Sequence, residues 1–261
     1  MRGKTYQVAL GGRGDPPDLE NFGEILAYCR NKNIVPNFTT SGFELTDVQA
    51  ELAKEHCGAV AVSWYNSEYT MGAMQLLLKK GVKTNIHFVL SSASIVNASE
   101  LLRQNKFEGV NAVIFLLHKP VGLGSESGVL SPGDLRVRMF FEEVDKSLGG
   151  NVKVGFDSCS VPGIINYCDS VDMLSVDTCE AARWSMYISA DLVAYPCSFD
   201  EADGFDLRTG TIADAWQSSR FNLYREVFKK ACPECNRKDE CMGGCQILRQ
   251  ITLCEREERM V

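Results

Sequence analysis

Apolar positions in the first 160 residues follow two alternating patterns. Short continuous apolar runs, such as residues 59–63, are typical of strands in a buried parallel sheet. Segments with apolar residues three or four positions apart, such as residues 21–31, are typical of amphipathic helices. The pattern predicts six strands, at residues 6–10, 34–39, 59–63, 82–90, 112–117 and 152–156. It also predicts five helices: residues 21–31, a segment capped by Thr46-Asp47, and residues 71–80, 98–105 and 134–147.

Strands that alternate with helices predict an α/β fold with a parallel sheet and helices on its outside. Small or polar residues follow the predicted strands, namely Gly11-Gly12, Thr40-Ser41-Gly42, Ser63, Ser91, His118-Lys119 and Asp157-Ser158-Cys159. Ligands of parallel α/β folds bind at the carboxyl ends of strands. One such residue is explained by a tight turn, but six in succession favour a binding site built from six loops.

The pattern changes after Cys179. Residues 183–196 are β-prone on both sides of Ala190-Asp191 and predict a hairpin. Residues 213–230 predict a helix. Its aromatic residues lie near one face and are predicted to pack against the cysteine loops: Trp216, Phe221, Tyr224 and Phe228.

Composition and charge exclude several classes of protein. The hydrophobic fraction of 45% and the charged fraction of 23% are those of a globular protein. The net charge of -7 repels phosphate backbones, which argues against a nucleic-acid partner. No apolar run is long enough to span a bilayer or to form a signal-peptide core, so we expect no membrane association and a cytoplasmic location. The length of 261 residues favours two domains, which we place at residues 1–160 and 161–261.

The chain contains 11 cysteines, and nine of them lie from Cys159 onward. In a reducing compartment, clustered thiols are more often metal ligands than disulfides. A C-x2-C-x5-C-x3-C pattern contains Cys232, Cys235, Cys241 and Cys245. Thiolates this close repel one another unless a cation or an iron–sulfur cluster binds them. The irregular spacing favours an iron–sulfur centre with remote ligands among Cys179, Cys197 and Cys254, while structural zinc and free structural thiols stay open.

This cysteine pattern resembles the SPASM domain that follows the barrel in many radical S-adenosylmethionine enzymes. The matching elements are a cysteine before a hairpin (Cys179), a Tyr-Pro-Cys after it (ending at Cys197), the C-x2-C-x5-C-x3-C segment and a last cysteine (Cys254). The family usually has glycine five residues before the second of these cysteines, where this chain has Leu192. The spacing of the four central cysteines matches residue for residue, which makes the resemblance specific.

The resemblance implies two auxiliary [4Fe-4S] clusters with interleaved ligands. One cluster would be held by Cys232, Cys235, Cys241 and Cys254. The other would be held by Cys179, Cys197 and Cys245, with Cys159 and Cys168 as upstream candidates for the fourth ligand. We favour Cys159 because it follows a predicted strand end. A role for Cys159 as a small buried apolar residue stays open as the alternative.

The first 160 residues resemble the barrel of the same enzymes, with the first predicted strand in place of the family's second. Gly11-Gly12 followed by Asp15 stands where the family has Gly-Gly-Glu. Thr40-Ser41-Gly42 stands where it has Thr-Asn-Gly, Ser63 stands where a serine contacts the cofactor, and Lys119-Pro120-Val121-Gly122 resembles its Lys-Pro-x-Gly turn. The resemblance implies a partial (β/α)6 TIM-like barrel that lacks its first strand. S-adenosylmethionine would be bound through Gly11, Gly12, Asp15, Ser41 and Ser63.

The family's C-x3-C-x2-C motif, which holds the cluster that cleaves S-adenosylmethionine, does not occur in these 261 residues. We therefore expect that this chain does not cleave S-adenosylmethionine alone and that an N-terminally extended form does. The resemblance further implies radical modification or maturation of a peptide or small protein, with a flavodoxin or ferredoxin as electron donor. Two other hypotheses stay open: a non-catalytic iron–sulfur protein for electron transfer or peptide binding, and a structural zinc-binding module.

Overall fold

A computed structural model describes residues 5–12, 14–104, 107–147, 152–200, 202–230, 232 and 234–254, without the side chains of residues 228–230. Strands and helices alternate in its first part, as predicted. The strands are β1 Gln7–Leu10, β2 Val35–Thr40, β3 Val60–Ser63, β4 Thr84–Leu90, β5 Ala112–Leu117 and β6 Lys153–Phe156. The helices are α1 Phe22–Asn31, α2 Asp47–His56, α3 Glu68–Lys79, α4 Ile95–Gln104 and α5 Leu135–Ser147. All six predicted strands and all five predicted helices are confirmed.

The six strands form one sheet in the order of the sequence, from β1 to β6. The first three neighbouring pairs are parallel, with Leu10 opposite Phe38, Thr40 opposite Val62, and Ser63 opposite His87. In a parallel sheet wound in sequence order, the carboxyl ends of all strands meet at one edge. The predicted α/β class with a partial TIM-like barrel therefore agrees with the observed sheet.

Polar caps set where two of the helices begin. Thr46 caps α2, because its hydroxyl accepts a hydrogen bond from the Gln49 N–H at 3.3 Å and its own N–H donates to Gln49 Oε1 at 2.8 Å. Ser67 caps α3 in the same way, since its hydroxyl accepts the Thr70 N–H at 3.4 Å. Helix α3 therefore begins at Glu68, earlier than the apolar pattern predicted.

Burial of the strands is less uniform than the apolar runs predicted. The first three residues of β3 are buried, which fits a strand covered on both faces. In β4, buried residues such as Ile86 and Phe88 alternate with more exposed ones, and Val89 is 51% exposed. One face of β4 therefore packs in the core, while the other face carries Asn85, His87 and Val89.

The C-terminal part contains α6 Val161–Tyr167, the short strands β7 Tyr187–Ile188, β8 Val193–Tyr195 and β9 Phe205–Asp206, and the helices α7 Ile212–Gln217, α8 Ser219–Lys230 and α9 Lys238–Cys241. The predicted hairpin is confirmed as the antiparallel pair β7 and β8. The single helix predicted for residues 213–230 is instead two helices, because Ser218 between them has extended backbone with ψ 158°. The side chain of Phe228 lies outside the described part.

A small core supports this C-terminal part. Phe221 and Tyr224 of α8 are buried with Ala182, Ala194 and Ala215. Half-buried residues that pack against this core include Cys179, Cys197, Met242 and Trp216. The aromatic face predicted for the helix thus packs beside the cysteine segments.

The described chain divides into two compact units, each built from separate stretches. The first comprises Met1–Val89, Leu101–Phe115 and Gly149–Gly155, and the second comprises Leu90–Glu100, Leu116–Leu148 and Phe156–Val261. The domain boundary at residue 160 stays a prediction. Within the described residues, none of the helices has both the length and the apolar character that crossing a bilayer requires.

Candidate functional site

The predicted residues Asp15 and Ser41 meet just after β1 and β2. The Asp15 carboxylate accepts the Ser41 N–H at 2.9 Å, the Ser41 hydroxyl at 2.6 Å and the Thr40 hydroxyl at 2.8 Å. Thr40 is 1% exposed and completes an arrangement that the sequence showed only in part. Three donors from one strand end hold this carboxylate in a fixed position. Its contact with the ammonium of S-adenosylmethionine stays a prediction.

Glycines follow β1 and β2 for different reasons, one for backbone conformation and close packing and the other two beside open space. Gly42 has φ +84°, and a Cβ there would lie 2.6 Å from the Ala73 Cβ, so the position requires glycine. Gly11 and Gly12 are exposed, and apart from its chain neighbours a Cβ at either would meet no atom of the described residues within 4 Å. These two glycines therefore adjoin open space after β1, where a ligand could approach the backbone. Ser63 ends β3 and is half-buried.

Four predicted cysteines lie together in the second compact unit, and we call them the Cys245 group: Cys159, Cys179, Cys197 and Cys245. The Cys159 thiol and the Cys245 sulfur share a hydrogen bond, which raises the pKa of Cys159 and lowers that of Cys245. Cys179 and Cys197 lie near Cys245, because its negative charge contributes to raising the pKa of each. The structure thus brings the upstream candidate Cys159 to this group.

Cys168, the other upstream candidate, lies elsewhere. Its thiol donates to the Phe141 carbonyl oxygen at 3.6 Å, and burial raises its pKa to about 12. The charges that act on it come from Asp145 and Asp169 rather than from the Cys245 group. Its surroundings are those of a structural thiol.

A second set, the Cys241 group, contains Cys232, Cys241 and Cys254. The charges of Cys254 and Cys232 both act on the Cys241 thiol, whose pKa is raised chiefly by burial. Cys235 adjoins this group through the backbone, because its N–H donates to the Cys232 carbonyl at 3.0 Å. Cys241 and Cys245 are four residues apart, yet they belong to different groups. The resemblance to the SPASM domain implied such an interleaving, and the assignment of these cysteines as cluster ligands stays a prediction.

The loop between Cys241 and Cys245 explains how these two neighbours diverge. Its three residues, Met242, Gly243 and Gly244, all have left-handed backbone with φ between +56° and +80°. Successive left-handed residues turn the chain sharply and aim backbone N–H groups at one point. The N–H groups of Gly243 and Gly244 accordingly donate to the Cys241 sulfur.

Backbone N–H groups also reach the sulfurs of the Cys245 group. Leu248 N–H donates to the Cys245 sulfur at 3.2 Å, and the N–H groups of Ala181 and Phe199 donate to Cys179 and Cys197. Such hydrogen bonds stabilise thiolates and tune iron–sulfur centres. Burial opposes them, and it raises the pKa of Cys179 to about 11. A metal that binds here must therefore displace the thiol protons.

Leu192 stands where SPASM domains usually have glycine. Its φ is +60°, in the left-handed region that favours glycine. The Leu192 N–H donates to the Ser189 carbonyl at 3.0 Å, which closes the turn between β7 and β8. The backbone of this turn thus has the conformation that glycine adopts, although the residue is different.

Sequence reasoning missed an ion pair beside the Cys245 group. Lys119, after β5, and Asp157, after β6, form a salt bridge in which the side chains are only 11% and 17% exposed. The Lys-Pro-x-Gly resemblance and the polar strand ends had marked each residue as part of a site. Nothing in the sequence showed that they pair, because 37 residues separate them.

Among the described residues, no group of three or more His, Cys, Asp or Glu side chains converges tightly enough for one metal ion. A single zinc ion needs four ligands about 2.3 Å from one centre when they are sulfurs. A cuboidal cluster places each thiolate on a different iron and so needs a wider arrangement. The Cys245 group supplies four sulfurs with N–H donors around them, as such a cluster requires. Binding it would separate the Cys159 and Cys245 sulfurs, which now share a hydrogen bond.

Comparison with known proteins adds the fold family. The structure matches anSMEcpe with bound AdoMet and the Cp18Cys peptide at a TM-score of 0.71 and 18% identity, over 99% of this chain and 80% of that one. It matches SuiB of Streptococcus suis bound to the precursor peptide SuiA at a TM-score of 0.73 and 16% identity, over 98% of this chain and 65% of that one. Both are radical S-adenosylmethionine/SPASM peptide-modifying enzymes.

This chain shares its fold with these enzymes. The predicted resemblance is therefore confirmed at the level of the α/β fold, and the SPASM domain stays a prediction. SuiB bound to S-adenosylmethionine also matches, with a TM-score of 0.72 and 16% identity over 98% of this chain and 66% of that one. No protein-family model matches the sequence, and no curated protein sequence matches it either.

Proposed function

We propose that this chain is a radical S-adenosylmethionine/SPASM-type iron–sulfur protein that takes part in the modification of a peptide or small protein. The observation that carries the proposal is the division of Cys241 and Cys245 between two separate cysteine groups. The solved neighbours with the same fold are peptide-modifying enzymes with bound AdoMet and bound peptides. We place the SPASM domain at residues 161–261 and the chain in the cytoplasm.

The two cysteine groups would hold two auxiliary [4Fe-4S] clusters. Cys159, Cys179, Cys197 and Cys245 would ligate one cluster, and Cys232, Cys235, Cys241 and Cys254 would ligate the other. When bound, such clusters transfer single electrons, which fits a flavodoxin or ferredoxin as electron donor. The chain's part is to supply the thiolates, to donate backbone N–H groups to their sulfurs, and to bury the site.

The strand edge would hold S-adenosylmethionine. Gly11 and Gly12 leave space for its approach, Asp15 presents a fixed carboxylate to its ammonium, and Ser41 and Ser63 provide hydroxyl groups. Ser41 acts chiefly through Asp15, because its N–H and hydroxyl both donate to that carboxylate. The neighbours with bound AdoMet support this assignment.

When the protein is purified without oxygen and reconstituted, it is expected to bind about eight iron atoms per chain. Its iron–sulfur clusters should then absorb broadly at about 400 nm. Cys235→Ala should lower the iron content by about half, because it removes one ligand of the Cys241-group cluster. Cys57→Ala is the matched control, since Cys57 directly follows α2 and lies in the first compact unit. Zinc in place of iron would support the structural zinc module, and equal iron loss in both variants would contradict the ligand assignment.

The 261-residue chain is expected to form no 5′-deoxyadenosine when it is reduced and incubated with S-adenosylmethionine. The cleavage needs an iron with an open coordination position, and the C-x3-C-x2-C motif that supplies it is missing from this sequence. Product measured by chromatography with more than one turnover would show that other thiols supply that iron. A non-catalytic role in electron transfer or peptide binding is the second candidate.

A further inference from the structure

Lys119 is a largely buried cation with an unusual set of partners. Its ammonium forms a salt bridge with Asp157, donates to the Leu117 carbonyl at 2.8 Å, and lies 5.3 Å from the ring centre of Phe199. Burial alone lowers the pKa of Lys119, but the neighbouring negative groups, Asp157 first among them, raise it above the ordinary value. Lys119 therefore keeps its charge in a place where an unpaired charge is costly.

Asp157 connects this cation to the turn that carries Cys159. Its carboxylate accepts the Leu117 N–H at 3.2 Å and the Ser160 hydroxyl at 2.7 Å. The end of β5, the end of β6 and the short helix Ser158–Ser160 are thereby held together. Cys159 lies in the middle of that short helix, so the ion pair fixes the backbone from which its thiol reaches Cys245.

The Lys119–Asp157 ion pair lies beside two segments of the Cys245 group. Asp157 precedes Cys159 by two residues, and Phe199, which faces the ammonium, follows Cys197 by two residues. Phe199, whose ring lies beside the ammonium, also donates its N–H to the Cys197 sulfur. A cation and a carboxylate, only 11% and 17% exposed, are thus paired beside the segments that carry Cys159 and Cys197.

We propose that the Lys119–Asp157 ion pair is a positioning pair that sets the reduction potential of the cluster bound by the Cys245 group. This inference rests on the proposed function, because it requires that cluster. Reduction adds one electron and therefore one negative charge to the cluster. A cation held beside it stabilises the reduced form, and a carboxylate held there destabilises it.

The test is a redox titration of the reconstituted protein, followed by electron paramagnetic resonance. Lys119→Met should move the midpoint potential of this cluster to more negative values, because it leaves Asp157 uncompensated. Asp157→Asn should move it to more positive values, because Lys119 then keeps its charge without a partner. Lys119→Arg retains the charge and should stay near the wild-type potential. Lys153→Met is the matched control, since it removes an exposed lysine at the opposite end of β6 and should cause no shift.

A purely structural role predicts a different result, in which both variants lose iron or shift the potential in the same direction. That result, or unchanged potentials in both, overturns the inference while leaving the proposed clusters intact. If Lys119→Met does not load iron, a positive shift in Asp157→Asn together with a wild-type potential in Lys119→Arg still supports the inference, and an unchanged or negative potential in Asp157→Asn overturns it. Wild-type protein without iron overturns the proposed function itself and the inference with it.

Discussion

Replacing Cys159 with alanine is expected to remove about half of the iron from the reconstituted protein. This amount corresponds to one of the two proposed clusters. Cys159 is the thiol that shares a hydrogen bond with Cys245, so its sulfur already lies at the Cys245 group. Three thiolates leave one iron of a cuboidal cluster without a protein ligand, and such clusters are lost more easily. Iron and acid-labile sulfide per chain are the quantities to measure, with the wild type prepared in parallel.

Cys168→Ala is the matched control for this experiment. Both cysteines lie between β6 and Cys179, and both are half-buried. Because the Cys168 thiol donates to the Phe141 carbonyl instead, its removal should leave the iron content unchanged. Iron loss in Cys168→Ala but not in Cys159→Ala would show that Cys168 is the cluster ligand and Cys159 the structural thiol. Full iron content in both variants would indicate a cluster with three protein ligands.

Replacing Asp200 with alanine is expected to destabilise the protein by about 3 kcal/mol. Asp200 is 5% exposed, and its carboxylate forms a salt bridge with both of its oxygens to Arg220 of α8. Removal of the carboxylate leaves the guanidinium largely buried without a counterion. The Asp200 N–H also donates to the Cys197 carbonyl at 3.1 Å, so the pair ties a cysteine turn to the helix. The thermal midpoint should fall by about 6–12 °C.

Asp203→Ala provides the comparison for Asp200→Ala. Asp203 is exposed, and surface substitutions of this kind usually change the free energy of unfolding by less than about 0.5 kcal/mol. Asn at position 200 should fall between the two, because its amide still accepts hydrogen bonds from Arg220. Equal midpoints for Asp200→Ala and Asp203→Ala would show that the ion pair adds nothing to stability.

Much of the sheet was predictable from the sequence. Short continuous apolar runs that end at glycine or polar residues seldom form anything other than buried strands. Helix α6 was not predicted, since it has seven residues and contains Pro162 and Gly163, which are typical of loops. A Cβ on Gly163 would lie 2.6 Å from the Phe141 ring, so this glycine allows close packing rather than a turn. Strand β9, with two residues, is too short to leave a periodic pattern.

The two cysteine groups followed from the resemblance to the SPASM domain, whose ligands interleave, rather than from the spacing alone. The choice between Cys159 and Cys168 did not follow from it, since it depends on how the chain leaves β6. The pairing of Lys119 with Asp157 was also beyond the sequence. The two residues are separated by 38 positions, and only the adjacency of β5 and β6 brings them together.

The separation of the ligands along the chain has a consequence for the order in which the protein is assembled. Cys159 and Cys245 are 86 residues apart, whereas Cys232 and Cys254 are 22 residues apart. Closing the longer loop costs about 1 kcal/mol more chain entropy, and it also requires the turn after β6 to be in place. If the proposed clusters are bound, the one at the Cys241 group can form from a short stretch of chain before the rest has folded. The one at the Cys245 group requires the sheet to be formed first, so we expect iron to enter that group second.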